Sequence, residues 1–395
     1  MNQFNKDIIA ALSSDKDITL NEVLRRQIEV AANQFLQNEL TAVLGYEPHT
    51  RIDRSKDDVN YRNGTYTRTI DTEYGEINLT IPRDRLNKFQ NALFPPYVRR
   101  TDGLEEMVIK MYSKGVTTRE IADMVERMYG HYYSPTTVSN ITKRTEHLVE
   151  EFHERRFKYS QYVCVFLDAT YIPLRRGTVE REAVNVAIGI RSDGGKEVLD
   201  YSIAPTENGA AWSELLQGLR ARGIKDIQLF IADGLVGLQS AIEANYPQAK
   251  FQRCWVHAER NLLGYVRKND RREIITDFKA IRQAENLQAA KERLAAFSAK
   301  WESSYKRRIK NLVQMEELFT FFSFPTAIRQ TIYSTNLIES FNKSLKKMVR
   351  RKEQFPNEGA LDCFIMTQVM EYNDKFKNRA HRGFKDCHDT LDSMF

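Results

Sequence analysis

Between residues 18 and 45 the run ITLNEVLRRQIEVAANQFLQNELTAVLG brings an apolar side chain round at roughly every third or fourth position, through Leu20, Leu24, Ile28, Ala31, Ala32, Phe35, Leu40 and Leu44, and stops at Gly45. That period is one face of a helix, and it predicts one or two amphipathic helices. The period then changes. YRNGTYTRTIDTEYGEINLTIPRD alternates polar with aromatic or β-branched residues on both sides of Glu73 to Gly75, which predicts a β-hairpin. Asn63-Gly64 is a second turn signal, and Pro82 limits the second strand. Arg62, Arg68, Arg83 and Arg85 rim this ribbon, so it could lie along a phosphate backbone. In the next segment Thr117 and Glu120 form a capping box for a helix ending at Gly130. Ser134 can cap a second helix with Pro135 in its first turn and Val138, Ile141 and Leu148 on its core face. That helix would expose Thr136, Thr137, Asn140, Lys143 and Arg144. Two short helices joined this way fit a helix-turn-helix that enters a major groove, although any helical hairpin shares the pattern.

From residue 161 the texture becomes strand-like. QYVCVFLDATYIPL, EAVNVAIGI and KEVLDYSIAP read as three strands, with a turn at Ser192 to Gly195 before the third. A helix ending at Gly223, the strand IQLFIAD, a helix stopped by Pro247 and the strand AKFQRC follow. The order βββαβαβ predicts an α/β fold with a mixed five-stranded sheet, as in an RNase H-like core. Residues 258–330 carry helical spacing without strand signals, an all-α insertion, and STNLIESFNKSLKKMVRRKE supplies the closing helix. The modules expected are 1–58 (helical, dimerising), 59–100 (basic hairpin), 101–158 (helix-turn-helix), 159–257 (first part of the core), 258–330 (insertion) and 331–395 (C-terminal helices of the core).

Composition adds little by itself. The 395 residues are 42% hydrophobic and carry a formal charge of +6, which excludes disorder, collagen and a disulfide scaffold. Cys164, Cys254, Cys363 and Cys387 form no CxxC pair. Neither a signal-peptide core nor a stretch of about 18 apolar residues occurs, so a soluble, cytoplasmic protein with no membrane partner is expected.

Charge placement says more. Asp168 follows the apolar run YVCVFL and Asp233 follows IQLFIA. On neighbouring strands the two carboxylates would emerge side by side, an arrangement that raises a pKa or recruits a hard cation such as Mg²⁺ or Mn²⁺. Either Asp alone could equally be a turn residue or a cap. On the last helix Leu337, Ile338, Phe341, Leu345 and Met348 form an apolar side, opposite Asn336, Glu339, Lys343, Lys346, Lys347 and Arg350. Glu339 thus stands alone in a basic face suited to phosphates, unless it merely pairs with Lys343. Cys254 and His257 have the spacing of half a zinc site with no second half, so a structural role is the plainer reading. Trp255 belongs to the core or stacks on an unpaired base.

The segments LDATYIPL, AIGI, FIADGLVGLQSAI, RCWVHAERN and STNLIESFNKSLKK, with YRNG, TIPRDR and GVTTREIADMVERMYG upstream, resemble the mutator-type transposases of bacterial insertion sequences. The resemblance runs in order over nearly the whole chain. It implies a DDE transposase in which Asp168, Asp233 and Glu339 are catalytic and hold two Mg²⁺, with Mn²⁺ able to substitute and no small-molecule cofactor. It matches Cys254 and His257 to a Cys-x-x-His signature. Where the family often has Asp-Ala-His, this chain has Asp233, Gly234 and Leu235. Double-stranded DNA would be the partner, as terminal inverted repeats and target, held by a homodimer in a copy-out, paste-in route. Two other readings stay open: a catalytically inactive DNA-binding repressor, and an RNase H-type nuclease without strand transfer.

Overall fold

The computed structural model describes residues 9, 13, 18–51, 59–94, 100–129 and 132–395. It divides into two compact units, Met1–Thr142 and Lys143–Phe395. The division falls within the segment that the sequence assigned to one helix-turn-helix module.

In the first unit, α1 (Leu20–Leu44) is one helix, with Glu22 N–H bonded to the Thr19 hydroxyl and Gly45 closing it at φ 76°. Its buried residues are Val23, Ala32, Leu36 and Leu40, whereas Leu20 and Phe35 of the expected stripe are exposed. The helix packs on the hairpin of β1 (Arg62–Thr72) and β2 (Gly75–Asp84), where Ile70, Ile77, Leu79 and Ile81 point inward. Asn63-Gly64 is an irregularity in β1 rather than a turn: the register slips between Arg62 and Thr65, and Gly64 has φ 71°. After α2 (Asp102–Ser113) comes α3 (Thr118–Tyr129), opened by the expected capping box of Thr117 and Glu120. Gly130, expected to end it, lies outside the described residues. The next helix, α4 (Pro135–Lys143), is capped by Ser134 and buries Val138 and Ile141. It stops at Lys143, so Leu148 belongs to a separate helix, α5 (Glu146–Glu154), which is part of the second unit.

The second unit is built on one mixed sheet. Its strands are β3 (Gln161–Arg175), β4 (Val179–Ile190), β5 (Lys196–Ala204), β6 (Asp226–Ala232) and β7 (Lys250–Arg253), in the spatial order β5-β4-β3-β6-β7. The first three are antiparallel, and β6 and β7 are added in parallel through the crossover helices α6 (Gly209–Ala221) and α7 (Leu238–Asn245). Strand order and helices are consistent with an RNase H-like fold. Tyr162, Val165, Leu167 and Phe230 pack with Trp212, Leu216 and Ile242 under the crossover helices. Each fully buried side chain of this size contributes about 1.5–3 kcal/mol.

Beyond β7 the chain is helical: α8 (Trp255–Leu263), α9 (Arg271–Arg282), α10 (Leu287–Val313) and α11 (Thr326–Ile332) precede α12 (Asn336–Lys352), α13 (Glu358–Phe376) and α14 (His388–Asp392). α12 packs on β3 and α13 on β5. Among the described residues, no helix is long and apolar enough to cross a membrane.

Candidate active site

Asp168 lies in the middle of β3 rather than at its end, as expected from sequence. It still emerges beside Asp233, because the parallel register couples Phe166 to Ile231 and β6 stops at Ala232 while β3 runs on to Arg175. The period of two sends Asp168 to the face opposite Val165 and Leu167, where α12 covers the sheet. There the Asn342 amide donates to Asp168 Oδ2 at 2.9 Å, while Oδ1 accepts from the Ala169 N–H at 3.0 Å. Burial pushes the Asp168 carboxyl up from 3.8 to about 6 against the bond from Asn342, and the charges of Asp233 and Glu339 push the same way. A fourth carboxylate adjoins them: burial raises Glu207, and Asp233 and Asp168 add to the effect, although the Trp212 indole donates to it at 3.1 Å.

Glu339 sits in the first turn of α12, where the helix dipole favours an anion. It does not pair with Lys343. Arg260 of α8 reaches both its oxygens, at 3.3 and 3.4 Å, and His257 Nε2 stands 3.6 Å from Oε1. Thr335 ties this acid to the Cys254-His257 pair. Its N–H donates to Cys254 Sγ at 3.3 Å, and its hydroxyl lies 3.2 Å from Cys254 Sγ, 3.3 Å from His257 Nδ1 and 3.3 Å from Glu339 Oε1. The hydroxyl has one proton to donate, to Cys254 Sγ or to Glu339 Oε1, and the direction of its contact with His257 Nδ1 is set by the imidazole tautomer. Burial of the Cys254 thiol is outweighed by bonds from His257 and Thr335, so its pKa falls. The bond to Cys254 outweighs burial in His257 and raises it, with Glu339 and Asp233 adding charge. Cys254 and His257 therefore join the end of β7 to the start of α12, His257 facing Glu339 directly and Cys254 linked to it through Thr335.

Among the described residues no three His, Cys, Asp or Glu side chains are gathered closely enough to hold a metal as they stand. Glu339 is turned to Arg260 and His257, and Asp168 to Asn342. The donor set nonetheless fits a hard divalent cation: it is carboxylate oxygen, and burial with the charges of Asp233 and Glu339 raises the Asp168 carboxyl despite its bond from Asn342.

Other candidates are placed as follows. Lys343, Lys346, Lys347 and Arg350 are exposed along α12, while Asn342 and Val349 join Ile338, Phe341 and Leu345 on the buried side in place of Leu337 and Met348. Thr136, Asn140, Lys143 and Arg144 are exposed in the first unit and at its border, and Thr137 is half-buried against Ser134. Arg83 and Arg85 face solvent. Arg62 does not: it donates to Thr41 and to the Tyr46 carbonyl, because the slipped register folds it back towards α1. Trp255 is 2% exposed, packed by Phe278, Phe319 and Phe321 and bonded to the Leu318 carbonyl, so no base can reach its face. Sequence reasoning missed Asn342, Thr335, Arg260 and Glu207. Only Asn342 carried a signal, standing three residues after Glu339, close to it on the helix.

A model described as Transposase, Mutator family, matches residues 2–379. The transposase for insertion sequence element IS905 of Lactococcus lactis is 48% identical over 395 residues, covering 100% of both chains. That for IS1201 of Lactobacillus helveticus is 49% identical over 373 residues, 94% of this chain and 100% of its own. Among solved structures, the Drosophila P element transposase strand transfer complex aligns over 77% of this chain and 86% of its own, at 11% identity and a TM-score of 0.30, which supports no inference about the fold.

Proposed function

This chain belongs to the Mutator family of transposases, and from that premise we propose that it cuts DNA at the terminal inverted repeats of an insertion sequence and joins the freed 3′-hydroxyl to a second phosphodiester, in a copy-out, paste-in route. Its general activity is that of a DNA transposase. The observation that supports the finer reading is the β3–β6 register, which brings Asp168 beside the end of the strand that leads to Asp233, under α12, the helix that carries Glu339.

Asp168, Asp233 and Glu339 would hold two Mg²⁺, or Mn²⁺ in their place. Bound there, the cations would supply Lewis-acid activation of an attacking oxygen and stabilisation of the leaving oxygen. The chain's own groups prepare that site. Asn342 fixes Asp168 Oδ2 and the Ala169 N–H fixes Oδ1, so the carboxylate has one orientation. Arg260 and His257 hold Glu339 until it is drawn towards the aspartates, and Thr335 anchors the turn that carries it. The exposed Lys343, Lys346, Lys347 and Arg350 give α12 a cationic face for the phosphate backbone. Arg83, Arg85 and the exposed end of α4 would read the repeat, and α1 would join two copies so that two DNA ends are held together.

The test uses a duplex carrying the end of the element with Mg²⁺ or Mn²⁺. Wild-type protein is expected to cleave it and, given a pre-cut 3′-hydroxyl end, to yield joined products. Full activity in Asp168→Asn would refute the carboxylate assignment. Hydrolysis with no joining would make the protein a nuclease, and binding without either reaction a repressor.

A further inference from the structure

The reaction proposed above leaves one cavity beside the carboxylates without a role. It encloses about 310 Å³ and is walled by Asp233, the end of β7, α8 and the last turns of α10. Its lining divides sharply by chemistry. Ala258, Leu262, Leu312 and Met315 form apolar walls, while Asn261 and Asn311 bring two amides with no side-chain hydrogen-bond partner among the described residues. Tyr265 is 60% exposed, and the Arg308 guanidinium lies over its ring, 3.3 Å from the centroid.

Arg253 is the second cation. Its guanidinium lies against Gly234, where a Cβ would stand 2.6 Å from Arg253 Cζ and where φ is 86°, so the glycine that follows Asp233 makes room for it. Its Nε is buried without a hydrogen-bond partner, and its Nη1 meets only the Met315 sulfur, at 3.9 Å. Among the described residues neither Arg253 nor Arg308 has a carboxylate partner. Two unpaired guanidinium groups, one with a buried N–H left over, call for an anion. Apolar walls, two amides and an exposed aromatic ring that Arg308 already covers in part call for a planar group with polar edges.

We propose that this cavity receives one unpaired nucleotide of the DNA end, the neighbour of the phosphodiester held at the carboxylates, with its base against Tyr265 and its phosphate near Arg253 and Arg308. The proposal rests on the reading of Asp233 as a site carboxylate. A paired duplex cannot enter, since a space of this size admits a single base and not a helix whose major groove alone is about 12 Å wide. The insertion helices thereby take part in the site: α10 supplies Arg308 and Asn311, which close over the strand that β7 and α8 present.

The test uses the full chain without divalent cation, so that no strand is cut. It compares a terminal-repeat duplex bearing 2-aminopurine in a one-nucleotide 3′ overhang with the same duplex made blunt, the probe then paired. Binding is expected to quench the overhang probe and leave the paired one unchanged. Tyr265→Ala and Arg308→Ala should lose the quench and bind the overhang at least fivefold more weakly, with blunt-duplex affinity within twofold of wild type and unaltered thermal melts. Tyr265→Phe should keep the quench. Retained quench in both alanine variants, or equal weakening on both duplexes, would overturn the assignment. Specific binding of the repeat with no quench in wild type would remove the pocket and leave the transposase reading standing. Binding no tighter than to a scrambled duplex would remove both.

Discussion

Asp168 shows how a single residue carries the cost of this site. Its carboxyl is pushed from 3.8 to about 6 because it is buried beside two other acids. A raised acid pKa means that folding favours the protonated form. The benefit is complete below the unfolded value near 4 and is lost as pH rises through 6, leaving an ionised group in an unfavourable place. Asp168→Asn should therefore abolish cleavage yet raise the thermal midpoint at pH 7.5 by an amount equivalent to about 1–3 kcal/mol. The gain should vanish at pH 4. Melts of both proteins across that range check it, and a mutant less stable at pH 7.5 would contradict the account. Asn342→Ala removes the side-chain donor to Asp168, so it should lower cleavage and raise the Asp168 pKa further, read by titrating a carboxyl resonance. The neighbouring acid Asp233 and the upward pressure on a pKa were legible in sequence; the burial and the Asn342 contact were not, since both depend on α12 packing over β3.

At the scale of elements, helical period predicted each helix better than it predicted its phase. The apolar wheel of α12 named Leu337 and Met348, but the buried side includes Asn342 and Val349. Contact with β3 rotates the buried stripe towards the polar group that Asp168 requires. α8 shows the same limit: Trp255 read as core with a base platform as the alternative, and the phenylalanines around residues 319–321, far along the chain, decided for core. Trp255→Ala should then cost about 3–5 kcal/mol of stability, measured by denaturant unfolding, and should not selectively weaken DNA binding. Capping, by contrast, is local. Thr117 and Glu120 bond as their spacing demands, and Thr117→Ala should cost about 1 kcal/mol in the unit that contains it.

For the molecule as a whole the small net charge of +6 conceals opposed local fields. Asp168, Asp233, Glu207 and Glu339 concentrate negative charge, while Lys343, Lys346, Lys347 and Arg350 make the exposed side of α12 beyond Glu339 cationic. If that face holds phosphates, Lys346→Ala and Arg350→Ala should weaken DNA binding without regard to sequence and lower the slope of log affinity against log salt by about 1 each. An unchanged slope in both would place the DNA elsewhere. Chelation of divalent cations should abolish cleavage but leave duplex binding in a gel shift.

What the sequence determined by itself was local in origin: apolar runs that must be strands, alternation that must be a hairpin, caps, and acids standing at the ends of apolar runs. These follow from the pleat, the helical period and the cost of burying unpaired polar groups, all of which act within a few residues. Tertiary structure decided the rest. The β3–β6 register set Asp168 beside Asp233, and the packing of α8 against α12 gave Glu339 to Arg260 and His257 rather than to Lys343. The slip in β1 turned Arg62 inward. Each of these depends on which distant side chain competes successfully for a charge or a buried face, and that competition exists only once the chain has folded.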